Sequence, residues 1–263
     1  MSPVVDTSLD GHVHTRLCRH AAGEMEAYVR AAISRGLATI VFLEHFEVDI
    51  HYSHRIWLSD ADFEYYFREG ERLRSLYRDD ITIRLGAEVG WNGRSVERLQ
   101  ERLASFPWEH LGLSCHFYWD GQSHLNLLSK QPDNIRLFAG LDTDAILREY
   151  LDGLLVAVET LSCNVLCHLD AALRYVPDCQ WTDAHFHQVD RLLAAVRKAG
   201  MSLEINTSGF DIRNEPFPCR AILQQARQQN IPFICGSDAH YPEQVGRYFE
   251  QVPEMLASIN EQE

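Results

Sequence analysis

Two short stretches hold the residues best suited to chemistry. GHVHT (11–15) places His12 and His14 two apart with His20 close behind, and CGSDAH (235–240) places Asp238 and His240 two apart near the other end of the chain. In an extended segment residues two apart point to the same side, so each pair could chelate one ion. Neutral imidazole and ionised carboxylate are ligands that zinc, iron(II) and manganese accept. His-x-His alone is a weak signal; its pairing with a distant Asp-x-His raises specificity.

The elements that must position these residues follow from periodicity. Short apolar or β-branched runs predict strands at 37–43, 81–87, 110–115, 164–167, 202–206 and 232–237, with a first strand near Thr7–Gly11. Amphipathic spacing predicts helices over 24–36, 60–79, 94–106, 143–161, 182–200, 219–230 and 242–259, the last kinked or split at Pro253. Seven βα units imply parallel strands with helical crossovers, in either a closed barrel or an open doubly wound sheet. Nothing resembles a linker, so residues 1–263 read as one domain. The longest irregular stretch is 117–142, a candidate functional loop or lid.

Polar residues recur at the C-terminal end of each predicted strand. In chain order these are His12 and His14, His45, Glu88, His116, His168, Asn206, and Asp238 with His240. Both parallel architectures bind ligands at that edge. His20 can reach it from a short loop. A lone His after a strand is usually a hydrogen-bonded packing residue, but seven on one rim with Glu88 and Asp238 would repel or stay unpaired. Divalent ions remove the conflict. Nine ligands are too many for one ion and suit two or three, with a carboxylate bridging.

Composition limits the partners. Lys and Arg total 24 against 38 Asp and Glu, a formal charge of −14, which opposes nucleic-acid and anionic-membrane binding and leaves a small-molecule partner. The seven Cys are irregularly spaced, and the start MSPVVDTSLDGH lacks a signal-peptide pattern, so a cytoplasmic protein with reduced thiols is expected. No run is long enough to span a membrane. No feature specifies an oligomeric state.

GHVHT (11–15), CRHA (18–21), FLEH (42–45), GAEVGW (86–91), LSCHF (113–117), LCHLD (166–170), LEINTSGF (203–210) and CGSDAH (235–240) together resemble the polymerase and histidinol phosphatase (PHP) superfamily, the later motifs its histidinol-phosphatase branch. The resemblance spans nearly the whole chain. It implies an α/β fold, a distorted (β/α)7 TIM-like barrel, with up to three divalent ions (Zn, Fe or Mn). His12, His14, Glu88 and Asp238 would hold the first. Glu88, His116 and His168 would hold the second, and His20, His45 and His240 the third. Glu44 departs from the Asp many relatives carry before this His and is expected behind the ligands.

The activity so implied is hydrolysis of the small phosphate ester L-histidinol phosphate, a step of histidine biosynthesis, with a hydroxide bridging two ions as nucleophile. Arg174 and Arg213 are the expected phosphate clamps, and Asp238 or His240 would move the leaving-group proton. Phe117, Tyr118 and Trp119 would line an imidazole pocket or pack the long loop. His51, His54, His110, His124, His185 and His187 are read as structural, as are Cys163 and Cys167. The rival readings are a phosphoesterase for another small ester or nucleotide, a metal-dependent amidohydrolase, and a non-catalytic metal-binding protein.

Overall fold

A computed structural model describes residues 5–177 and 179–259. Residues 1–4, 178 and 260–263 of the span read as one domain lie outside the described residues. The elements run β1 (Leu9–Val13), α1 (Met25–Ser34), β2 (Thr39–Phe46), α2 (Asp60–Leu76), β3 (Thr82–Gly90) and α3 (Val96–Leu103). They continue with β4 (His110–Ser114), β5 (Phe117–Trp119), β6 (His124–Asn126), α4 (Pro132–Leu137), α5 (Thr143–Thr160) and β7 (Val165–Leu166). The last are α6 (Asp183–Ala199), β8 (Ser202–Asn206), α7 (Phe210–Arg213), α8 (Arg220–Gln228), β9 (Phe233–Gly236) and α9 (Val252–Ser258).

Seven strands form one parallel sheet in the order β1-β2-β3-β4-β7-β8-β9. Its two edges meet at the C-terminal rim, where Val13 bridges Ala239, Asp238 N–H donates to His12 O at 2.9 Å and His14 N–H donates to Ala239 O at 3.0 Å. The expected distorted seven-stranded α/β barrel is therefore the fold, and the open-sheet alternative is not. All seven predicted strands are present. The rest of the sequence reading needs two corrections. The stretch 117–142 is ordered as the antiparallel β5–β6 hairpin followed by α4. The last predicted helix is divided into 3-10 turns at 242–244 and 249–251 and then α9, with Pro253 in its first turn, where a missing N–H costs nothing.

Val41, Leu43, Val165 and Cys167 form a small apolar cluster with Ile234. These residues come from β2, the end of β7 and β9, and they floor the barrel beneath its rim. The larger core lies between the sheet and its helices. Strand alternation explains the division, because the face of β2 that carries Val41 and Leu43 next presents His45.

Helix starts are set locally. Ser59 and Asp62 form a reciprocal capping box at α2, and Asp142 accepts from Ala145 N–H at α5. Tyr66 then ties α2 to the sheet. Its hydroxyl lies 2.9 Å from Gly86 N and 2.9 Å from Gly86 O, and 3.1 Å from Phe42 O. Gly86 is required by close approach, since a Cβ there would fall 2.2 Å from His110 O. Tyr66→Phe should cost about 1–3 kcal/mol, because the buried Gly86 N–H loses the hydroxyl. Urea unfolding measures this; unchanged stability would show that the hydroxyl is not the brace.

Candidate metal centre

Three features of the backbone bring the predicted residues together. The first is a one-residue register shift in β1. Asp10 pairs with Ile40 but Val13 pairs with Phe42, so Gly11 and His12 both lie opposite Val41. A Cβ on Gly11 would fall 2.7 Å from the side chain of Ile234, which marks that position as inward-facing. Simple alternation from Gly11 would turn His12 and His14 outward; the extra residue turns them in. The second is at His168. Cys167 already faces the interior, and a φ of 23° at His168 brings the next side chain back to the same side. The third is Asp238, at φ 50° just past β9. Non-glycine residues rarely adopt these conformations, and they concentrate at functional sites.

All nine predicted residues converge at the rim. His12 Nε2 and His14 Nε2 are 3.0 Å apart, and His14 Nε2 is 3.3 Å from Asp238 Oδ1. Glu88 Oε2 lies 3.6 Å from each of these two nitrogens. Its other oxygen, Oε1, is 2.9 Å from His116 Nε2 and 2.7 Å from His168 Nε2. His20 Nε2 lies 2.9 Å from His240 Nε2 and 3.4 Å from His45 Nε2. Glu88 joins this last group too, because its Oε2 is 2.8 Å from His45 Nδ1, though neither atom is aligned for a hydrogen bond.

These atoms fit cations and fit one another poorly. His20 Nδ1 bonds Cys18 O and His240 Nδ1 bonds Asp238 O, at 2.9 and 3.0 Å. A carbonyl only accepts, so both Nδ1 atoms carry the proton and both Nε2 lone pairs face each other. Burial, with His45 and His240 nearby, pulls the His20 pKa down to about 3. Burial and the same two neighbours hold His14 well below the usual histidine range. Both rings are therefore neutral near pH 7, as metal ligands must be. Burial also opposes charge on His116, but Glu88 and Glu47 raise its pKa to about 10. A divalent ion between His116 Nε2 and Glu88 would replace that proton. Glu88 Oε2 is buried without a hydrogen bond, as expected of a ligand oxygen. His12, His14 and Asp238, and separately His20, His45 and His240, have donor atoms within 4.8 Å of one another.

The sequence reading missed the carboxylates behind the rim. Glu47 Oε1 lies 2.7 Å from His116 Nδ1, and Glu204 Oε1 lies 2.7 Å from His12 Nδ1. A signal existed: Glu204 interrupts the apolar run SLEIN two residues before Asn206, on the inward face. Glu44 does lie behind the ligands. Its Oε1 accepts Thr15 N–H and hydroxyl, and its Oε2 is 4.0 Å from His14 Nδ1.

The two arginines stand differently. Arg213 is committed to Asp170, at 2.9 Å, and to Pro216 O. Arg174 Nε and Nη1 are buried without a hydrogen-bond partner. Both guanidinium groups contact the Phe217 ring, at 4.1 Å for Arg213 and 5.2 Å for Arg174. Phe117 is buried against Tyr52 and Trp57, so it packs the hairpin, whereas Tyr118 and Trp119 are half-buried. His124 and His185 are structural as expected: His124 Nδ1 accepts His51 N–H at 2.9 Å, and His185 bonds Thr182 N–H at 2.9 Å. Cys163 and Cys167 are buried in the core.

Comparison with known proteins gives a consistent answer. The family model described as "PHP domain" matches residues 10–208, and that described as "PHP-associated" matches 217–261. A Deinococcus radiodurans protein named "Probable histidinol-phosphatase" is 25% identical over 253 residues, covering 94% of this chain and 92% of its own. Bacillus subtilis "Histidinol-phosphatase" is 25% identical over 262 residues, covering 92% and 96%. The crystal structure of the Lactococcus lactis histidinol phosphate phosphatase, complexed with zinc, L-histidinol and phosphate, superposes with a TM-score of 0.77 at 22% identity, covering 97% of this chain and 92% of that one. At that identity the superposition speaks for the fold. Among the described residues, no helix is long and apolar enough to cross a membrane.

Zinc added to chelator-stripped protein should raise its melting temperature, since a ligand at 100 times its Kd stabilises by about 2.7 kcal/mol. Glu88→Gln should bind at least one ion fewer per chain. Metal content equal to that of the unaltered protein would remove Glu88 as the shared ligand.

Proposed function

The chain belongs to the PHP family, and from that premise we propose that it is a metal-dependent phosphomonoesterase hydrolysing L-histidinol phosphate to L-histidinol and phosphate. The observation that carries this reading is the convergence of seven imidazoles, Glu88 and Asp238 on one rim, all buried but Asp238, His240 and the exposed His20, in groups suited to two or three ions of zinc, iron or manganese. The names of the relatives support the substrate. In this reading His12, His14, Glu88 and Asp238 hold one ion, Glu88, His116 and His168 a second, and His20, His45 and His240 a third. The seven free cysteines fit a cytoplasmic enzyme.

Bound ions would supply a water nucleophile near neutral pH and positive charge against the phosphate. The chain's own groups do the remainder. Arg174, with two unpartnered buried donors, binds phosphate oxygens, while Arg213, anchored by Asp170, sits beside it on Phe217. Tyr118 and Trp119 offer a partly apolar wall for the imidazole end. Asp238 and His240 are the candidates for carrying the leaving-group proton; His240 Nδ1 is 3.5 Å from Asp238 Oδ1.

The second reading keeps the catalyst and exchanges the substrate for another small ester or a mononucleotide. A panel of phosphate esters assayed with the metal-loaded enzyme separates the two. We expect kcat/KM for L-histidinol phosphate to exceed that for glycerol phosphate and mononucleotides by at least about tenfold, the equivalent of 1.4 kcal/mol. Equal turnover of all esters would defeat the specific substrate and leave the phosphoesterase. Arg174→Ala should lower kcat/KM by about tenfold or more with the fold intact; an unchanged value would remove Arg174 from the site.

A further inference from the structure

None of the nine ligands expected from the sequence lies on β8, yet its central residue, Glu204, reaches two of them. We propose that Glu204 is a positioning residue that holds His12 and His168 in register and thereby couples the first ion position to the second. The proposal rests on the metal reading above.

Each carboxylate oxygen has a separate task. Oε1 lies 2.7 Å from His12 Nδ1, which fixes the proton on that nitrogen and leaves the Nε2 lone pair directed at the rim. Oε2 accepts the backbone N–H of His168 at 2.8 Å and Asn206 Nδ2 at 3.2 Å. The His168 contact falls where the chain takes its unfavourable φ of 23°, so Glu204 braces the conformation that turns this imidazole inward. Space for the carboxylate comes from β9. A Cβ on Gly236 would fall 2.1 Å from Glu204 Oε1 and 2.8 Å from His12 Cβ. The side chain is 2% exposed, so water cannot substitute for these bonds. Glu47 is simpler, bonding His116 alone. The hydrogen bonds of Glu204 go to His12, His168 and Asn206, and not to His20, His45 or His240.

That asymmetry sets the test. Chelator-stripped wild type, Glu204→Gln and Glu204→Asp are titrated with zinc against a competing chromophoric chelator, and the stripped proteins are melted in parallel. Wild type that binds no zinc would end the metal reading, and the role of Glu204 with it. Given wild-type binding, Glu204→Gln should weaken two binding steps by about 10–100-fold, the usual cost of losing a partner behind a metal-ligating His. The step assigned to His20, His45 and His240 should not move. Glu204→Asp, which keeps the charge but withdraws it by one methylene, should weaken the same steps less. Wild-type affinity in both variants would overturn the proposal while the metal reading stands. So would equal weakening of the third step, or a lower melting temperature with zinc affinity unchanged. If neither variant folds, nitrogen NMR of histidine-labelled, zinc-loaded wild type decides. A His12 proton on Nδ1 supports the role, and one on Nε2 overturns it.

Discussion

Glu88 is the charge on which the rim depends. It is fully buried, and a lone carboxylate taken that far from water would be costly. Burial opposes its ionisation, but His116, His12 and His45 outweigh that and hold its pKa well below the usual carboxylate range. The imidazoles are in turn too close to one another to carry charge together. The Nε2 atoms of His20 and His240 lie 2.9 Å apart, in rings whose other nitrogen already donates to a carbonyl, so lone pair faces lone pair. Divalent cations at these points would relieve both conflicts.

The barrel supplies the conditions for this arrangement. Parallel strands bring their C-terminal ends to one edge, and the apolar floor of Val41, Leu43, Val165, Cys167 and Ile234 keeps the lower side dry. In such surroundings each charge interaction is stronger than it would be in water. The same dryness favours pairing of the far nitrogens. Glu204 and Glu47 supply that pairing for His12 and His116, and backbone carbonyls supply it for His20 and His240.

Much of the fold, and the residues that gather in the candidate site, were legible in the sequence. The seven strands are apolar or β-branched runs a few residues long, and their polar terminal residues mark the edge that carries the candidate site without any knowledge of closure. The hairpin was not legible. Its strands, FYW and HLN, are three residues each and are secured by docking: His124 N–H donates to His51 O, and His51 N–H donates back to His124 Nδ1. That contact spans 73 positions and leaves no local signal. The arginines show the same limit. Arg174 and Arg213 follow strand ends alike, but only the packed structure shows that Asp170 occupies Arg213 and leaves donors of Arg174 free.

The sequence by itself determined the inventory: which residues end the strands, how many candidate ligands they offer, and that imidazoles and carboxylates in that number suit more than one ion. Local spacing and residue chemistry suffice for those conclusions. Tertiary structure decided direction and partnership. The register shift in β1 turned His12 and His14 inward, the left-handed backbone at His168 did the same, and closure of β1 onto the chain after β9 brought Asp238 to the histidines of GHVHT. These depend on contacts between strands far apart in the chain, and a period-two pattern cannot show which face a strand will turn to the interior.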